Sequence, residues 1–168
     1  VIQPKKKSNL KLLLAFSGSF LLSVTVISLL PEVYETKNTT IGLYIMLGIL
    51  FQIILEFFSK GAEHGHVHGH QTITHIPWLL FISLCIHALL EGFPVGHHHD
   101  LAIGIAIHHL PIAIILTTFF VQAQLNKKAI FAFMITFAMM TPLGTLASNY
   151  IPGLQEYTTE ITAIVIGI

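Results

Sequence analysis

Arginine is absent, cysteine occurs once, and charged residues make up only 10% of the 168-residue chain. Each shortage removes a class of protein. With eight basic residues, all lysine, balanced by eight acids, no basic field exists for a nucleic-acid partner. The lone thiol, Cys85, cannot build a disulfide framework, and inside an apolar run it is expected to be a small core hydrophobe. Against these shortages stand 54% hydrophobic residues and a mean hydropathy of +0.78. So little polar surface cannot cover a soluble globule, and the lipid bilayer is the expected solvent.

A helical span needs roughly 20 mostly apolar residues. Five stretches approach that length, at 12–30, 41–58, 77–96, 101–121 and 129–149, and a partial sixth occupies 161–168. None shows period-2 alternation, and a lipid-exposed backbone must satisfy its own polar groups, so the spans are expected to be helices. The fold class is therefore an all-α polytopic membrane helix bundle with five full transmembrane helices plus a partial sixth. Residues 1–168 form a single transmembrane domain without an internal repeat. Connections are expected at 31–40, at the His-rich stretch 59–76, at 97–100, at 122–128 and at 150–157. The first span is longer than a secretory signal core and lacks a small-residue cleavage site. The chain opens on Val and closes inside an apolar run, and reads as an excerpt of something longer.

Lysine placement orients the bundle. Lys5, Lys6, Lys7 and Lys11 precede the first span, Lys60 follows the second, and Lys127 and Lys128 follow the fourth, with Lys37 alone on the opposite side. The positive-inside rule places the amino terminus and the 59–76 and 122–128 loops in the cytoplasm of a cell (plasma or inner) membrane protein.

The chemistry lies in the third and fourth spans. His87 and Glu91 are four residues apart, stacked on one helical face, and can share one ion. Ionisable groups near the bilayer centre cost about 2.5–3.5 kcal/mol on insertion scales and usually mark a pathway. The fourth span adds His108 and His109, which as helical neighbours point about 100° apart. One is expected to meet Glu91 while the other looks elsewhere. Imidazole with carboxylate suits borderline metals such as zinc or iron rather than magnesium or calcium. Pro94 and Pro111 each remove an intrahelical bond, which is expected to free the carbonyls of Leu90 and Ile107 beside these ligands. Mere interhelical glue is the plainer reading, but such bonds average only about 0.6 kcal/mol, a small return for four polar groups in lipid.

Two further clusters lie outside the hydrocarbon. His64, His66, His68 and His70 alternate with small residues, and His97, His98 and His99 run into Asp100. Both are expected to collect metal loosely, their alternative being a solvated loop. Asn38-Thr39-Thr40 fits a glycosylation acceptor, a short and common motif.

IHALLEGFPVG at 86–96 followed by LAIGIAIHHLP at 101–111 resembles the fourth and fifth helices of the ZIP family of zinc and iron transporters. FSGSFLLSVTVISLLPE resembles that family's second helix, LEFFSKGAEHGHVHGH its third helix and His-rich loop, and MTPLGTLAS its sixth helix. The resemblance covers essentially the whole chain and implies helices two to six plus the first turns of helix seven of an eight-helix fold. It implies that His87, Glu91 and His108 hold one ion, and that His109 falls where some members bind a second. It further implies an elevator-like carrier, usually a homodimer. Three positions depart from the pattern: Ala88 stands where Asn is frequent, Ile112 where Glu or His usually follows the proline, and Thr141 where some members carry a carboxylate. These departures remove ligands on which a second metal would depend.

The expected function is transport of a divalent transition metal, Zn²⁺ above Fe²⁺, Mn²⁺ or Cd²⁺, toward the cytoplasm, with uptake weakening below about pH 6.5 as imidazoles protonate. The lipid bilayer and the ions are its partners, and no catalytic cofactor is implied. A non-transporting metal-binding scaffold is the alternative favoured by the lost ligands. A cation-efflux carrier would pair His with carboxylates on two spans, and Glu91 is the one mid-span carboxylate. An intramembrane metalloenzyme is disfavoured, because neither His-Glu-x-x-His nor a di-iron carboxylate pattern occurs.

Overall fold

A computed structural model describes residues 4–59, 78–97 and 99–168, with side chains for 9–58, 78–96 and 101–168. The described residues are mostly helical, with no strand among them. Helix α1 spans Pro4–Val24, passes through a π-helical turn at Thr25–Leu29, and continues as α2 over Leu30–Glu35. After a loop come α3 (Ile41–Ser59), α4 (Trp78–Glu91), a 3₁₀ turn at Pro94–His97, and α5 (His99–Gln122). Helix α6 (Lys127–Tyr150), a short 3₁₀ turn, and α7 (Thr158–Gly167) complete the chain.

Among the described residues, five segments are long and apolar enough to cross a membrane: Asn9–Glu35, Ile41–Phe58, Trp78–Gly96, Leu101–Gln122 and Lys127–Tyr150. Their number agrees with the five full spans expected from hydropathy. Two expected connections shrink. The loop foreseen at 31–40 begins only after Glu35, because the preceding π turn accommodates the proline. There the Leu30 N–H reaches back to the Thr25 carbonyl, and Pro31, which has no N–H to place, sits at the start of the next helical segment. The loop foreseen at 97–100 is likewise shorter, since α5 already starts at His99.

Large apolar side chains such as Leu12, Phe57, Phe131 and Val121 are well exposed, as expected where lipid is the solvent. The α4 span is the most buried of the five, with half of its window buried against 11% for the first span. It lies at the centre, packed on α3 and α6, while α5 packs on α1 and α6, and α7 on α3. Leu80, Phe81, Leu84 and Ala88 of α4 meet Ile112, Ile115, Leu116 and Phe120 of α5 and Phe137 of α6 in the main core. Phe81, Phe120 and Phe133 interlock with ring centroids 4.9 to 5.8 Å apart. Cys85 packs against this core, as an apolar residue would.

Two glycine contacts set helix spacing. A Cβ on Gly92 would strike the Thr141 carbonyl, and one on Gly144 the Leu89 carbonyl, so α4 and α6 touch backbone to backbone. Gly48 and Gly167 do the same for α3 and α7. Close approach of this kind substitutes van der Waals contact for the hydrophobic drive that lipid does not supply.

Candidate metal site

Helix α4 ends at Glu91, one turn after His87, and both side chains are buried, with relative exposures of 4% for His87 and 6% for Glu91. The i, i+4 spacing brings His87 Nε2 to 3.3 Å from Glu91 Oε1. From α5, His109 Nε2 lies 2.8 Å from the other carboxylate oxygen, Oε2. His108 also joins: His87, Glu91 and His108 each present a ligand atom, all within 4.8 Å of one another. The His87 and His108 rings stand 6.5 Å apart between centroids.

The expectation that one of the two adjacent histidines would look away is therefore corrected. The 100° offset between them is real, but Glu91 presents two oxygens. With Oε1 toward His87 and Oε2 toward His109, the carboxylate sits between them, and His108 completes the group from its own side. His109 also rests against Phe137 of α6, with centroids 5.3 Å apart.

A second correction concerns the prolines. Pro94 lies beyond the end of α4, in the 3₁₀ turn, and the Leu90 carbonyl is not freed, because it accepts from the Phe93 N–H at 3.0 Å. Pro111 does lie inside α5 and has no N–H to offer Ile107.

The carbonyls at the end of α4 are met instead from α6. Thr141 Oγ1 donates to the Ala88 carbonyl at 3.1 Å and Thr145 Oγ1 to the Gly92 carbonyl at 2.8 Å. Two hydroxyls thus tie down the turn that carries Glu91, and the partial negative charge of a helix C-terminus favours a cation there. Ala88 and Ile112, two of the positions that depart from the family pattern, are fully buried in the apolar core. Thr141, the third, is engaged with backbone.

His87, Glu91 and His108 open onto a cavity of about 730 Å³, walled also by Lys11, Thr25, Leu101 and the end of α7. Gln52 of α3 lines it too, and its Oε1 lies 3.2 Å from His87 Nδ1. Sequence reasoning passed over Gln52, although a lone amide in the apolar middle of α3 was the available signal. The cluster His64, His66, His68 and His70 lies outside the described residues, as do the side chains of His97, His98, His99 and Asp100.

No protein-family model matches the chain, and no solved structure matches it. Among curated proteins, it is 25% identical over 110 residues to zinc transporter ZIP1 of Danio rerio, covering 51% of this chain and 36% of that protein. It is 27% identical over 127 residues to Protein zntD of Dictyostelium discoideum, covering 65% of this chain and 19% of that protein. The chain spans about a third and about a fifth of the lengths of these two relatives.

Proposed function

Related as this chain is to the ZIP family, we propose that it forms the metal-binding part of a membrane carrier that moves Zn²⁺ toward the cytoplasm, with His87, Glu91 and His108 as ligands. The observation that carries the reading is the convergence of two imidazoles and one carboxylate, within 4.8 Å of one another, on the wall of a cavity inside a membrane bundle. Nitrogen and oxygen donors in this mixture suit zinc and other borderline metals, whereas magnesium and calcium take oxygen alone.

The number of ligands matters as much as their kind. Closed sites with four protein ligands hold structural zinc, while three ligands leave a position for water. A carrier must release its cargo, and a three-ligand site facing a cavity permits that exchange. Glu91 supplies the one negative charge, and His109 at 2.8 Å holds its second oxygen, so the carboxylate keeps its aim when no ion is present. A second metal has little to hold it, since Ile112 and Ala88 belong to the core and Thr141 is bonded to backbone. The lysine distribution supports a cytoplasmic amino terminus for this segment in a plasma or inner membrane.

The test is metal uptake into liposomes containing the full-length protein, comparing wild type with His87→Ala and Glu91→Ala and offering zinc, iron and magnesium separately. Zinc entry that either substitution abolishes is the expected result. Absence of entry for every metal with the protein folded would leave a metal-binding scaffold and refute the carrier.

A further inference from the structure

The run LGILFQIILEF in α3 is apolar apart from one amide and, a turn later, one acid. The amide is Gln52. Its Oε1 lies 3.2 Å from Nδ1 of His87, and it shares the cavity wall with His87, Glu91 and His108. The other ring nitrogen of His87, Nε2, lies 3.3 Å from Glu91 Oε1. The two nitrogens thus face different neighbours: Nδ1 turns to α3, and Nε2 to the carboxylate.

A neutral imidazole carries one N–H, and the nitrogen that holds it has no lone pair for a metal. An amide oxygen accepts and cannot donate. Facing Nδ1, it favours the tautomer with the proton on that atom and leaves the Nε2 lone pair toward Glu91 and His108. We infer that Gln52 is a positioning residue for the metal site, fixing the tautomer and the ring orientation of His87 through its Oε1. The inference rests on the carrier reading above and deepens it.

Metal-ligating histidines almost always hand their second N–H to such an outer partner, and losing that partner costs about 10–100-fold in metal affinity. The partner here comes from a third helix, so the aim of His87 depends on α3 as well as on the two helices that carry the ligands. A glutamine that only joined α3 to α4 would affect melting and leave metal affinity alone. That difference separates the two roles.

The experiment uses the full-length protein in detergent, titrated with Zn²⁺, and with Co²⁺ as a probe whose visible absorption reports ligand geometry. Gln52→Leu, and Gln52→Met as a second variant of similar length without an acceptor, are expected to weaken zinc binding about 10–100-fold. Both should alter the Co²⁺ spectrum while the metal-free melting temperature stays near that of wild type. Gln52→Glu keeps an acceptor and is expected to restore most of the affinity. In a His87→Ala background the Gln52→Leu change is expected to cost nothing further. Wild-type affinity and an unaltered Co²⁺ spectrum in the Leu and Met variants, with His87→Ala binding weakly, would overturn the inference and leave the carrier reading standing. Wild-type affinity in His87→Ala itself would overturn both.

Discussion

Gly144→Ala tests whether α6 sets the geometry of the site. A Cβ there would fall on the Leu89 carbonyl oxygen and within 3.1 Å of the Gly92 Cα. Both obstacles are backbone, so no side chain can step aside. Carbon atoms pack best at about 3.5–4.0 Å, which forces α4 and α6 apart. Separation stretches the Thr145 bond to Gly92 at 2.8 Å and the Thr141 bond to Ala88 at 3.1 Å. Two interhelical bonds at about 0.6 kcal/mol each add to about 1–3 kcal/mol of overpacking. The better helix propensity of alanine returns about 1 kcal/mol, so the net loss is about 1–3 kcal/mol. Gly42→Ala is the control, because its Cβ would meet only the Tyr34 hydroxyl at an ordinary 3.8 Å. Thermal unfolding in detergent should place Gly144→Ala below wild type and Gly42→Ala at or above it. Zinc uptake should fall in the first variant alone, since Glu91 adjoins Gly92. Equal melting temperatures for the two variants would refute the backbone contact between α4 and α6.

The two histidines of α5 should separate by role. His108→Ala removes a member of the three-ligand group and is expected to abolish saturable zinc uptake, whereas His109→Ala removes a partner of Glu91 and should weaken zinc affinity about 10–100-fold. Uptake kinetics decide between them, and a larger loss in His109→Ala would reverse the assignment. Zinc itself should stabilise the fold: at a free concentration 100 times the dissociation constant, linkage supplies about 2.7 kcal/mol, read as a rise in melting temperature. Glu91→Gln, which keeps the shape and removes the charge, should lose most of that rise, and a full zinc-dependent shift in the variant would rule out the carboxylate as a ligand.

Legibility divided along the range of the interactions. Spans could be read because the bilayer imposes a length and a composition on each segment by itself, and the i, i+4 pair His87 and Glu91 could be read because one helix turn fixes it. What depended on a second helix could not be read in the same way. The angle between His108 and His109 is a property of α5 alone and suggested that one of them must turn away; the carboxylate whose Oε2 meets His109, and which also groups with His108, comes from α4. Pro94 was correctly expected to disturb a helix, yet whether the Leu90 carbonyl stayed free depended on the 3₁₀ turn that follows, where Phe93 takes it. Thr141, counted as a lost ligand, gains its role from the Ala88 carbonyl 53 residues away. These contacts meet at the α4 segment that carries His87, Glu91 and Gly92. Gln52 reaches it from α3, the two α5 histidines from a second side, and the α6 threonines from a third. The site is thus braced from α3, α5 and α6. On the proposed three-ligand site, a substitution on any of them that alters helix spacing should register in metal affinity before it registers in the secondary structure, because the three ligands are divided between α4 and α5.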